Sequence, residues 1–372
     1  MSFVTVKDQA VAVRLLRSIT AKGRIPAGLM LWGPSGVGKR MAAMELAKAL
    51  NCAAGGGDAC DRCLSCRKAA SGNHPDIIVV SPAGRTRIIK VDAVERMNET
   101  TVYRPFEGGR RIFIIEDADR MNEAAQNHFL KTLEEPASAT VFVLVTANPR
   151  QLLPTIRSRC QPVRFGALRR ETVAELLSAR CGLSPEAALP IAALSQGQMG
   201  RALDLHESGR RDMVLSVIHR LSTGGDPLLL GEEFAAYLQT VERAVAEAVK
   251  RPAPGAGNGG GDVEDGEEDE FGEGNGGDLE KEQLEALIAG RMRLEMYEHI
   301  HLFQSWYRDE LVCRAPGGAE HALNRDQLDR LAAGGGGDPA VKLEALDRAW
   351  LYLERNINRG RVFRDLFFAL AV

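Results

Sequence analysis

Apolar positions near the start of the chain fall on one helical face: Val11, Leu15, Leu16 and Ile19. A short apolar run, Gly28-Leu29-Met30-Leu31-Trp32, then meets Gly33, and a second helical pattern begins near Arg40. Strand, glycine turn and helix in that order open a βα unit. Further apolar runs at 76–80, 111–115 and 140–146 predict strands, and helical patterns at 91–101 and 122–133 lie between them. This alternation predicts an α/β domain over residues 1–165, with a parallel sheet covered on both faces. Beyond about Phe165 the strand signal fades and helical patterns follow at 170–181 and 185–195. They predict a small helical domain at 166–207. A larger helical domain is expected at 208–372, with apolar spacing at Met213-Val214-Val217-Ile218-Leu221 and Leu343-Leu346-Trp350-Leu351-Leu353.

Composition changes this picture in one place. Residues 252–279 are rich in Gly and acid and cannot bury enough apolar surface to offset the entropy of ordering, so a disordered insertion is expected within the last domain. Pro252 to Glu280 holds ten acids and no Lys or Arg; without them the chain has 47 basic against 40 acidic residues, a mildly basic body. The pairs Arg110-Arg111 and Arg169-Arg170 are too short to argue nucleic-acid binding and are expected to be solvated. Uninterrupted apolar runs of 18 residues are absent from the sequence, and the first residues lack a signal-like apolar region. A cytoplasmic protein with no membrane partner is expected.

The candidate chemistry begins at Gly33-Pro34-Ser35-Gly36-Val37-Gly38-Lys39, the phosphate-loop spacing G-x-x-x-x-G-K between a predicted strand and helix. Its glycines let backbone N–H groups curl round phosphate oxygens, Lys39 adds a charge, and the following helix adds its positive end. ATP or ADP is the expected ligand. The next position calls for a Ser or Thr hydroxyl to hold Mg²⁺ but is Arg40, whose guanidinium has no lone pair to offer a metal. The strand at 111–115 ends in Glu116-Asp117, the reverse of the Asp-Glu order that suits metal and water. A one-methylene swap displaces each carboxylate by about 1.5 Å, a misplacement that costs on the order of 100-fold in rate. Mg²⁺-assisted hydrolysis by this chain is expected to be impaired.

Four of the seven cysteines, Cys52, Cys60, Cys63 and Cys66, follow C-x7-C-x2-C-x2-C. In a reducing compartment such crowding points to metal rather than disulfides. Four thiolates suit Zn²⁺; an iron–sulfur cluster and free thiols are the rivals, and the C-P that usually follows in the former is absent. With no His or Glu beside the cluster to suggest an open position, the zinc is expected to be structural.

The stretches Asp119-Arg120-Met121-Asn122-Glu123-Ala124-Ala125-Gln126-Asn127, Leu130-Lys131-Thr132-Leu133-Glu134-Glu135-Pro136 and Ser158-Arg159-Cys160 resemble the AAA+ clamp-loader subunits of bacterial DNA polymerase III. The specific likeness covers roughly residues 6–205. It implies an AAA+ P-loop NTPase-like base with an inserted zinc module at 52–66, a helical lid, and an all-α collar that holds subunits in a ring. It also implies that Arg159 is an arginine finger reaching a neighbour's ATP site, that Thr146 is the sensor of the terminal phosphate, and that Arg201 belongs to a second sensor. The implied partners are the gamma or tau and delta subunits and, through the complex, the sliding clamp and primed DNA within the nucleotidyltransferase holoenzyme. Arg40 and the Glu116-Asp117 order separate this chain from the gamma and tau motors, although a motor of that kind or another AAA+ ATPase is the alternative. A DNA repair protein on the same fold is a third reading, without a concentrated basic or aromatic motif to support it.

Overall fold

The computed structural model describes residues 2–82, 87–101, 103–107, 109–135, 139–250, 276–334 and 336–371. The chain divides into two compact units, Met1–Leu176 with Gln196–Arg201, and Leu177–Ser195 with Ala202–Val372.

In the first unit the elements run α1 (Ala10–Lys22), β1 (Gly28–Trp32), α2 (Lys39–Leu50), α3 (Leu64–Ala70), β2 (Ile77–Val80), α4 (Val91–Thr101), β3 (Arg111–Ile115), α5 (Glu123–Glu134), β4 (Thr140–Thr146), α6 (Pro154–Arg159) and β5 (Cys160–Arg164). All the strands pair in parallel in the order β2-β3-β4-β1-β5. β3 and β4 are buried along their whole length, as strands covered on both faces must be. Phe113 stacks on Phe142 and Phe129 of α5 meets Phe142 edge-on, with ring centroids 5.4 and 5.3 Å apart.

Three sequence expectations change here. β5 was not foreseen: its burial is interrupted and Pro162 lies within it, which an edge strand with a single partner tolerates. On α1 the buried positions are Ala12, Leu16 and Ile19, while Val11 is exposed, because the buried stripe is rotated by one residue. Arg111 is buried rather than solvated: its guanidinium donates to the carbonyls of Thr100, Tyr103 (2.9 Å) and Arg104 (3.1 Å) and lies 3.5 Å from the buried carboxylate of Asp76. Asp76 in turn accepts N–H bonds from Phe106 and Glu107 at 2.7 and 2.9 Å. The loop entering β3 is tied down by one buried ion pair.

α7 (Arg170–Cys181), α8 (Pro185–Leu194) and α9 (Met199–Glu207) run through the stretch where the two units alternate along the chain. The second unit continues with α10 (Arg210–Ser222), α11 (Pro227–Lys250), α12 (Gly276–Cys313), α13 (Leu328–Ala333), α14 (Pro339–Glu354) and α15 (Arg359–Ala371). α11 packs on α15 and α12 on α14, around Phe234, whose ring lies 4.7 Å from Phe363 and 5.3 Å from Phe367. Of the apolar positions expected to pack, Leu346 and Leu353 are buried but Leu351 is exposed. The expected insertion at 252–279 lies outside the described residues up to residue 275, after which α12 begins. Among the described residues no helix is long and apolar enough to cross a membrane.

Candidate nucleotide and metal sites

The phosphate loop leaves β1 and enters α2 through three glycines with positive φ, Gly33, Gly36 and Gly38. Two have no room for a side chain: a Cβ on Gly33 would lie 2.2 Å from the Phe165 carbonyl oxygen, and one on Gly36 would lie 2.6 Å from the Gly200 amide nitrogen. The backbone at 199–200 therefore lies directly against the loop, next to Arg201. Gly38 caps α2 in the left-handed conformation without a side-chain cap, so the first N–H groups of α2 suit an anion. Lys39 is buried and donates from Nζ to the carbonyls of Gly33 (2.7 Å) and Pro34 (2.6 Å), while Ser35 is exposed and Val37 buried. Burial lowers the Lys39 pKa, and the nearby Asp117 and Asp119 carboxylates oppose that shift.

The carboxylates come from the end of β3, which pairs with β4, itself paired with β1, so Lys39, Arg40, Glu116, Asp117 and Thr146 gather at the carboxyl ends of three successive strands, where open α/β sheets bind ligands. Arg40 pairs through Nε with Glu116 Oε1, and Glu116 Oε2 accepts from Ser81 Oγ at 3.0 Å. Asp117 follows in a left-handed conformation, φ 44°. Thr146 Oγ1 donates to Asp119 Oδ1 at 2.6 Å and accepts from the Asn148 N–H at 3.0 Å, so its hydroxyl is already engaged. Asp119 and Ser81 were missed by sequence reasoning; the first was visible as an acid two places after Asp117, the second carries no signal.

Nucleotide phosphates fit this cradle of N–H groups and Lys39. Mg²⁺ does not, because the position for its hydroxyl ligand carries a guanidinium already paired with the Glu116 carboxylate.

Arg159 does not join this group. It ends α6, donates to the Thr155 carbonyl at 3.2 Å and pairs with Glu134 at 2.7 Å, a partner that sequence reasoning did not single out. The next residue, Cys160, is aligned with Gly28 at the start of β1, whereas the phosphate loop leaves the other end of that strand. Five residues of strand separate the two ends by about 16 Å.

The cysteines form a separate site from the end of α2 into the first turn of α3, which Cys63 caps and Cys66 belongs to. The sulfurs of Cys52, Cys60, Cys63 and Cys66 all lie within 4.8 Å of one another. Four thiolates around Zn²⁺ at about 2.3 Å are about 3.8 Å apart, so the donor set fits zinc. Backbone N–H groups of Cys60, Cys63 and Cys66 point at the sulfurs of Cys52, Cys60 and Cys63, at 3.3–3.4 Å. The N–H groups of Arg62 and Cys63 pull the Cys60 thiol down to about 6, while burial pushes Cys66 up to about 12. The connecting loop is anchored on α1: Arg17 pairs with Asp58 at 3.1 Å and Thr20 Oγ1 donates to the Gly57 carbonyl at 2.6 Å.

A phosphate loop at the head of a parallel sheet, with a four-cysteine module inserted behind its helix, defines a P-loop protein whose metal position is altered. Residues 8–169 match the family model described as "DNA polymerase III, delta subunit". The chain is 37% identical to DNA polymerase III subunit delta' of Bacillus subtilis over 165 residues, 44% of this chain and 50% of the relative. It is also 37% identical to the delta' subunit of Pseudomonas aeruginosa over 214 residues, 56% of this chain and 62% of the relative. Subunit gamma/tau of Mycobacterium bovis is 34% identical over 181 residues, 48% of this chain and 31% of the relative. The matched region is similar to curated delta' subunits of DNA polymerase III. The chain spans about half to three-fifths of the length of the delta' relatives it matches.

Proposed function

We propose that this chain acts as a delta-prime-type subunit of a clamp loader, assembling with gamma or tau and delta subunits in the cytoplasm to load a sliding clamp onto primed DNA. The observation that carries this reading is the position of Arg159 at the opposite end of the β1–β5 pair from the chain's own phosphate loop. With its backbone about 16 Å of strand away from the chain's own phosphate loop, Arg159 is placed to serve a neighbour's ATP, where a guanidinium neutralises charge on the transferring phosphoryl group and makes hydrolysis depend on assembly. The degenerate loop supports the same division of labour: Glu116 and Asp117 do not run a reaction of their own, and Thr146 and Arg201 are retained at sensor positions without one to report. In this reading residues 166–207 form the lid, 208–372 the collar, and Zn²⁺ on Cys52, Cys60, Cys63 and Cys66 fixes the module behind α2. DNA is contacted through the complex.

The test is clamp-stimulated ATP turnover of the reconstituted loader carrying Arg159→Ala. Loss of about 1,000-fold at the served site is expected from the usual worth of an arginine finger. Unchanged turnover overturns the role.

A further inference from the structure

We infer that the phosphate loop is a site for a polyphosphate anion without its divalent cation, the Arg40 guanidinium standing where the metal would stand. In metal-dependent loops of this spacing, the residue after the lysine and a carboxylate closing the acidic strand share one Mg²⁺. Here the side chains at the residue after the lysine and at the end of the acidic strand, Arg40 and Glu116, hold each other. A metal approaching Glu116 has to displace a cation that is already paired, and it meets charge repulsion on the way. Glu116 is further engaged by Ser81, and the Thr146 hydroxyl by Asp119, so neither group is presented to a metal or its water.

The cradle itself is intact. Lys39, which commits two of its three Nζ donors to the Gly33 and Pro34 carbonyls, the left-handed Gly36 and Gly38, and the uncapped start of α2 all remain. Arg40 has a side chain 72% exposed that meets Glu116 at Nε as an ion pair; the two terminal nitrogens of a guanidinium carry four N–H donors, arranged in a fork that matches phosphate oxygens. Arg40 thus bridges carboxylate and phosphate as a metal would, with one fixed positive charge instead of two. The ligand class is a nucleoside di- or triphosphate, or pyrophosphate, in its metal-free form.

The inference rests on the loop being a phosphate site and not on the clamp-loader assignment. Isothermal titration calorimetry of the full chain with ADP and with pyrophosphate, first in EDTA and then in excess MgCl₂, tests it. Binding in EDTA is expected, weakened roughly tenfold by excess Mg²⁺ because the complexed fraction of the ligand is excluded. ADP binding much more tightly than pyrophosphate identifies a nucleotide site; equal binding identifies a site for the phosphates alone. Arg40→Thr, at an exposed position that leaves the core untouched, is expected to lose binding in EDTA and regain it with Mg²⁺. Glu116→Gln, which removes a negative charge beside the phosphates, is expected to tighten metal-free binding. Binding by the unaltered chain that requires Mg²⁺ overturns the inference and leaves the phosphate site standing. No binding of either probe under either condition overturns both.

Discussion

Arg111 shows how much one buried charge can organise. Its guanidinium takes three backbone carbonyls, one from the last turn of α4 and two from the loop that precedes β3, and it stands beside a carboxylate, Asp76, that is itself fully buried. Removing one partner of such a pair strands the other without solvent. Arg111→Ala is therefore expected to destabilise the first unit by about 3–5 kcal/mol, measured by urea unfolding followed at Trp32, with Trp306 and Trp350 replaced by Phe. The sequence did not disclose this role, since two adjacent arginines read equally well as surface charge. Arg40 was legible for the opposite reason. A fixed motif demanded a hydroxyl there, so the departure announced itself, whereas its pairing with Glu116 needed the fold to bring the ends of β1 and β3 together.

At the scale of elements, the second unit holds a titratable group inside its core. His299 on α12 is buried, donates from Nδ1 to the Glu295 carbonyl at 2.7 Å and accepts at Nε2 from the Tyr237 hydroxyl at 3.3 Å. Burial lowers its pKa to about 4, with Arg210 acting in the same direction. A histidine held neutral in the folded state gains its proton first in the unfolded chain, so stability falls as pH drops from about 6.5 through about 4. The loss amounts to roughly 3 kcal/mol. His299→Gln is expected to flatten that part of the pH profile of the urea midpoint, read from Trp306 and Trp350. The zinc module makes a second prediction at this scale. One zinc per chain is expected by metal analysis, and Cys63→Ser is expected to abolish it and to expose the loop at 53–59 to proteolysis, because the ligands and the Asp58–Arg17 anchor hold that loop jointly. The apolar runs of β3 and β4 were readable because burial on both faces leaves an unbroken apolar signature, and α4 because its buried Val94, Met97 and Thr101 recur at helical spacing. β5 was not, because an edge strand containing Pro162 needs only two buried residues, Cys160 and Val163.

At the scale of the whole molecule, one observation extends beyond a single chain. The guanidinium at the head of β5 and the phosphate cradle at the tail of β1 lie at opposite ends of one strand pair, so subunits joined through them must follow one another in a single direction. Such a row has a polarity, like a line of couplings with a plug at one end of each unit and a socket at the other. On the proposed reading this chain keeps its plug, while Arg40 fills the metal's place in its socket. On that reading a member of this kind is expected at one terminus of the row, which makes it a counter as much as a component: one copy per assembly, however many motor subunits follow. Native mass spectrometry of the reconstituted loader is expected to find that single copy, and a species with two copies would contradict the end-of-row position.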